Sequence, residues 1–251
     1  MLNFGGLEWA RDKWGWLGRA YLKWAESIGV RFSDTVIADN QHFVDYVSTE
    51  YGIRSRLIEY GGDHCTVVDH VGSDLVNIYP FLRERYYLSV SRAQEDNNIH
   101  LLLEAFDRMP QHKIVIVSNW NVSEYGRTLK AKYSGIDNLV LLDAIYDLRV
   151  LNAIRSGCYV YIHSHSFCGT APSLVEIMSL GKPVYSFHAY TNLETTERKA
   201  LFFSTPDDLE KLIVCTGEQV VAELGNNMKE IASRRYTWDV IAKKYYDALG
   251  A

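Results

Sequence analysis

The sequence predicts an α/β protein with one complete Rossmann-like domain on a parallel six-stranded sheet, preceded by part of a second such domain. Two observations carry this reading. Strand-length apolar runs alternate with helical patterns from Tyr86 onward, and the composition, 47% hydrophobic and 23% charged over 251 residues, is that of an ordinary folded protein. No apolar run reaches the ~18–20 residues that span a bilayer.

Residues 1–79 are read as the partial domain. Four tryptophans, Trp9, Trp14, Trp16 and Trp24, fall in the first 24 residues. Leu17, Tyr21, Trp24 and Ile28 recur at helical spacing, which predicts one helix from Leu7 to about Val30 that also carries Arg11, Lys13, Arg19 and Lys23. Its tryptophans either pack inside the first domain or face a lipid surface, as basic aromatic helices do. A strand over Asp34–Asp39, a helix over Asn40–Tyr51 and a strand over Arg56–Tyr60, closed by Gly61 and Gly62, come next. With the end of a third strand at Met1–Asn3, this is too little for a complete layered sheet.

Residues 80–235 supply the full domain. Strands are predicted at Tyr86–Ser91, Lys113–Ser118, Asn138–Asp143, Cys158–His163, Pro183–Phe187 and Ala200–Ser204. Helical patterns at Asn98–Met109, Val122–Tyr133, Asp147–Gly157, Pro172–Leu180 and near Thr195–Lys199 lie between them, as right-handed crossovers require. Residues 236–251 hold a last amphipathic helix, about Trp238–Ala248, expected to pack back on the first domain.

A net charge of −5 and the lack of a basic patch argue against nucleic acid as a partner. Cys65, Cys158, Cys168 and Cys215 show no metal or disulfide spacing. Scattered thiols and the absence of a signal-like start after Met1 point to the cytoplasm. No Gly-rich dinucleotide fingerprint or P-loop occurs, which disfavours nicotinamide enzymes and P-loop nucleotidases.

Two segments can carry chemistry. From His163 to Val184 the chain reads as strand end, loop, helix and strand, with Gly169 and Thr170 before Pro172, Ser173 and Glu176. Free amides and the dipole at such a helix start attract phosphate, and Glu176 one turn later can accept ribose hydroxyls. The second segment, Ser91 to Asn98, leaves the first strand of the full domain, where ligands of open parallel sheets sit. Arg92 can meet a diphosphate there or pair with Glu95 or Asp96. His163 and His165 alternate on one strand end as packing or phosphate-facing residues, and no metal is expected at them.

Together these residues resemble the nucleotide-binding core of the GT-B retaining glycosyltransferases of family 4. The segments Gly169-Thr-Ala-Pro-Ser-Leu-Val-Glu176 and Gly181-Lys-Pro-Val184 carry that likeness. Gly6-Leu-Glu-Trp-Ala-Arg-Asp-Lys-Trp14, Ser33-Asp-Thr-Val-Ile-Ala-Asp39, Glu95-Asp-Asn-Asn-Ile99 and Asn192-Leu-Glu-Thr-Thr-Glu-Arg-Lys-Ala200 are similar to the branch holding bacterial rhamnosyltransferases of polysaccharide assembly.

The resemblance implies metal-independent transfer, with retention, of a sugar from a nucleoside diphosphate such as dTDP-L-rhamnose, with no cofactor. The acceptor would be a polysaccharide or lipid-linked saccharide. It places the catalytic arginine at Arg92 and donor contacts at Asn97, Ser118, Asn119, Ile145, His163, Gly169, Thr170, Ser173 and Glu176. Two departures follow: the first of the family's paired glutamates falls on Cys168, and its usual lysine on Asn97. Family members carry roughly 100 or more further residues before Gly6, in line with two-domain sizes. That leaves two alternatives, a non-catalytic nucleotide-sugar-binding module or one half of a split transferase, with self-association through the incomplete first domain. A nucleotide-sugar epimerase shares the fold.

Overall fold

The computed structural model describes residues 1–11 and 14–250; Asp12 and Lys13 of the predicted first helix lie outside the described residues. The chain begins with β1 (Leu2–Phe4), α1 (Trp16–Phe32), β2 (Val36–Ala38), α2 (Gln41–Tyr51), β3 (Ser55–Leu57) and α3 (Ser73–Ile78). It continues through β4 (Tyr86–Val90), α4 (Ile99–Asp107), β5 (Lys113–Ser118), α5 (Glu124–Tyr133), β6 (Leu139–Asp143), α6 (Leu148–Gly157) and β7 (Val160–His163). Then come α7 (Pro172–Ser179), β8 (Val184–Phe187), α8 (Tyr190–Thr195), β9 (Leu201–Phe203), α9 (Pro206–Cys215), α10 (Glu218–Arg235) and α11 (Trp238–Leu249).

The larger sheet is wholly parallel, in the order β6-β5-β4-β7-β8-β9. Its strands read as near-continuous apolar runs because helices cover both faces. Along β5, Val115 and Val117 pack with α6, α7 and α10 on one face, while Ile114 and Ile116 pack with α4 and α9 on the other. Chain order reverses between β4 and β7, so α4 and α7 pack on opposite faces of the sheet, and the crevice of such a switch point lies at the carboxyl ends of these two strands. Local start signals fix the helices: Ser123 caps α5, Asp147 caps α6, and Thr205 and Asp208 form a capping box on α9.

The smaller sheet is parallel, β1-β2-β3. Val36 and Ala38 face a core with Phe4, Val30, Phe43 and Val47; Ile37 faces the other way, against Ile58, Ile241 and Ala248. Residues of α11 therefore cover that second face of the first sheet. Buried Glu59 ties the return in place, pairing with Arg235 at 3.2 Å and with Lys244.

Two expectations need correction. The predicted helix from Leu7 is broken: residues Glu8–Ala10 form a single 3-10 turn, and Gly15 takes an extended conformation before α1. Arg11 takes an extended backbone after that turn, and its guanidinium reaches Asp96 at 2.6 Å and lies over Phe167. The helix expected near Thr195–Lys199 lies instead at Tyr190–Thr195. The Thr195 and Thr196 hydroxyls donate back to the carbonyls of Thr191 and Asn192, and Glu197 and Arg198 then take positive φ.

The aromatic stripe of α1 faces solvent: Trp16, Leu17, Tyr21, Trp24 and Phe32 are 61–84% exposed. The inward face belongs instead to Lys23, whose ammonium pairs with Glu26 at 3.2 Å and Glu50 at 3.0 Å, among the rings of Trp9, Tyr46 and Tyr51.

Candidate active site

The β4–α4 loop and the β7–α7 loop leave adjacent parallel strands and are laced together. Ser166 donates from both its amide and its hydroxyl to the Asp96 carbonyl, each at 2.9 Å. Asn98 donates to the Ser164 carbonyl at 3.0 Å, and the Ser164 hydroxyl donates to the Asn97 carbonyl. The β5–α5 loop joins them, since Asn119 Oδ1 accepts from the Ala93 amide at 2.8 Å and the Ser123 hydroxyl donates to the Ala93 carbonyl at 2.5 Å. A preorganised backbone results, in which Arg92 is held from both sides.

Arg92 itself is exposed, and among the described residues its guanidinium has no hydrogen-bonded or ion-paired partner. Asp96 pairs with Arg11 instead. Asn97 is buried and its amide donates to the Arg92 carbonyl at 2.7 Å, so it braces the arginine's backbone. Ser118 is buried at the carboxyl end of β5 with its hydroxyl unpartnered, and Ile145 packs against the core beneath the β6–α6 loop.

On the other side of the crevice, Ala171 starts α7 without a side-chain cap and Pro172 occupies the first turn, so the amide at Ser173 faces the loop. His163 is buried at the end of β7, its ring 4.2 Å from that of His165. Burial holds both rings neutral: His163 lies well below the usual histidine range, and His165 is lowered to about 4, with Arg92 and Arg11 adding to the effect. Arg92 thus lies close enough to bear on the β7–α7 loop. Burial also pushes the Cys168 thiol up to about 12, so it is neutral.

Glu176 sits one turn into α7, paired with the buried Arg155 and hydrogen-bonded to His64 Nε2 at 3.1 Å. Trp238 donates to His64 Nδ1 at 3.2 Å, which leaves the His64 proton on Nε2, aimed at the carboxylate. Each carboxylate oxygen keeps a lone pair for a further donor. Arg155, His64 and Trp238 escape sequence reasoning because three distant elements supply them.

Asp39 was also missed as a site residue. It ends the β2 segment at 4% exposure, with Oδ1 buried and unpartnered, and its carboxylate lies against the backbone of Gly169. A Cβ at position 169 would fall 2.1 Å from Oδ1, so any side chain there would have to displace the Asp39 carboxylate. Thr170 donates its hydroxyl to the Asp39 carbonyl. Burial raises the Asp39 carboxyl to about 7, against the lowering effect of backbone donors that include the Thr170 amide.

Among the described residues, the unpartnered buried atoms of Asp39, Ser91, Ser118, His163 and His165 all lie at or just beyond the carboxyl ends of strands. Buried polar atoms left so require a partner, and their gathering at this edge of the sheets is consistent with a ligand there. Donor atoms of His163, His165 and Cys168 lie within 4.8 Å of one another, a grouping able to hold a metal; those of His64, Cys65 and Glu176 do too, although Glu176 is already engaged by Arg155. A pocket of about 280 Å³ opens beside Cys168, lined by Phe167, His42, Phe43 and Tyr190.

Comparisons with known proteins agree with this architecture. The chain is similar in fold to sucrose-phosphate synthase from Thermosynechococcus elongatus, with a TM-score of 0.74 at 18% identity, covering 95% of this chain and 61% of that one. It is similar to Anabaena HepE in complex with UDP, with a TM-score of 0.79 at 18% identity over 99% of this chain and 71% of that one. A variant of S. aureus TarM, in complex with fondaparinux, α-GlcNAc-glycerol and UDP, gives 0.75 at 14% identity over 99% of this chain and 50% of that one. The chain thus spans from half to about seven-tenths of the length of these structures, and the likeness is to the GT-B fold. No curated protein matches it. Residues 1–63 match a domain of unknown function, DUF1972. Residues 77–214, more than half of the chain and all of the crevice apart from Asp39, His64 and Trp238, match the glycosyl transferases group 1; the chain belongs to that family.

Proposed function

We propose that this chain binds a nucleoside-diphosphate sugar in the crevice between β4 and β7 and is the donor side of a glycosyltransferase. The observation that carries the reading is the unpartnered, exposed Arg92 guanidinium, near enough to His165 to act on its charge, on the loop that leads to the uncapped start of α7, with Glu176 one turn further on. Diphosphate then lies between Arg92 and the Ser173 amide, and ribose hydroxyls donate to Glu176, held in place by Arg155 and His64. Asn97 acts through the Arg92 backbone, and Ser118, Asn119 and Ile145 line the way to the base.

Transfer breaks the bond from the sugar C1 to the β-phosphate oxygen, which keeps the electron pair, while the acceptor oxygen bonds C1 and its hydroxyl proton passes to the departing diphosphate. Arg92 and the helix amides stabilise the departing diphosphate, a role otherwise given to a divalent cation, which supports metal-independent chemistry. Retention and an L-rhamnosyl donor rest on the resemblance alone. The exposed aromatic stripe of α1 supports a lipid-linked saccharide acceptor at a membrane surface.

Donor consumption tests the reading directly. The chain, with a saccharide or lipid-linked acceptor, should consume one of dTDP-L-rhamnose, UDP-glucose or GDP-mannose in the presence of EDTA, and Arg92→Ala should reduce the rate at least 100-fold, within the range for losing one transition-state donor. Near-normal turnover by the variant, or turnover that EDTA abolishes, would contradict it.

A further inference from the structure

The placement of donor groups along α7 gives the donor a direction. Ribose at Glu176 and diphosphate at Ser173 leave the sugar beyond the helix start, against Cys168 and Gly169. Residue 168 offers only a half-buried, neutral thiol there, which donates to Asn192 Oδ1. The carboxylate facing Gly169 comes from the other sheet, at Asp39, and its Oδ1 has no partner.

We propose that Asp39 supplies the carboxylate that grips hydroxyls of the donor's sugar. The inference rests on the donor-site reading above and extends it to the sugar and to the domain that recognises it. Three features support a ligand-facing role over a purely structural one. The carboxylate is buried without a cation, and the backbone donors that reach it leave its Oδ1 unpartnered. Gly169 removes the side chain that would displace it. The neighbouring backbone is pinned, because Thr170 donates to the Asp39 carbonyl and Asn40 Nδ2 donates to the Thr170 hydroxyl at 3.4 Å and the Thr191 carbonyl at 3.3 Å. A carboxylate accepts two adjacent hydroxyls at once, so the ligand class is a nucleotide sugar with free vicinal hydroxyls.

Calorimetry on the wild-type chain and Asp39→Asn tests this, titrating UDP, dTDP and GDP and then UDP-glucose, dTDP-L-rhamnose and GDP-mannose. The amide keeps the side chain's shape and removes its charge. Affinity for the free diphosphate of the preferred base should stay within about twofold, while affinity for its nucleotide sugar should fall about tenfold or more, as expected for loss of a charged hydrogen-bond acceptor. The variant should melt no lower than wild type at pH 8. Equal weakening of both ligands, no change in either, or a melting point several degrees lower would overturn the proposal. A wild-type chain that binds none of the three diphosphates would overturn the donor-site reading itself, a result distinct from a silent Asp39→Asn.

Discussion

Asp39 carries the sharpest physical tension in the molecule. Its carboxyl ionises near pH 7 in the fold, against about 3.9 in an unfolded chain. Burial is the main cause, with the Glu59 charge adding to it. Between those two values the folded chain holds a proton that the unfolded chain has released, so stability falls as pH rises from about 4 to 7 and the loss is complete above that. Asp39→Asn removes the cost. The variant should be more stable than wild type at pH 8, by on the order of 1–4 kcal/mol, and the gain should vanish near pH 4, read by urea unfolding at both pH values. A pH-independent difference would place the group elsewhere than in a desolvated site. Greater stability with weaker sugar binding is the pattern of a group kept for its ligand.

At the scale of elements, what the sequence reveals depends on how each segment is buried. The β5 strand Lys113–Ser118 is legible to the residue because both of its faces are covered and its run is unbroken. The long helix α10 is not read at all, although Val221, Leu224, Met228 and Ile231 keep helical spacing on its buried face; Gly225 sits on that face, where a Cβ would fall 2.6 Å from the Gly181 carbonyl. The two loops of the site are legible because parallel sheets bind at strand carboxyl ends. Asp39, His64 and Arg155 are not, since their neighbours come from other elements. The stripe of α1 is legible as amphipathic but its direction is not, because the Lys23 network that occupies the inward face draws its acids and rings from other segments as well. The chain should sediment with anionic vesicles and less with neutral ones, and replacing Trp16 and Trp24 by serine should abolish this without changing the melting point, since both are exposed. Sedimentation unchanged by the double substitution would place the contact elsewhere.

For the whole molecule, the two sheets are joined where function needs them joined. Residues of α11 close the second face of the small sheet, Arg11 crosses to Asp96, and Asp39 meets Gly169. The last two crossings end at the loops after β4 and β7, so the first domain shapes that crevice as well as flanking it.

The preference of this crevice for diphosphate over monophosphate is the most direct test. Calorimetry with the nucleoside mono- and diphosphate of one base should show wild type favouring the diphosphate at least tenfold, and Arg92→Ala should lose that preference while its fold and melting point are kept. Equal affinity for the two nucleotides, or a preference that survives in Arg92→Ala, would contradict a diphosphate shared between Arg92 and α7.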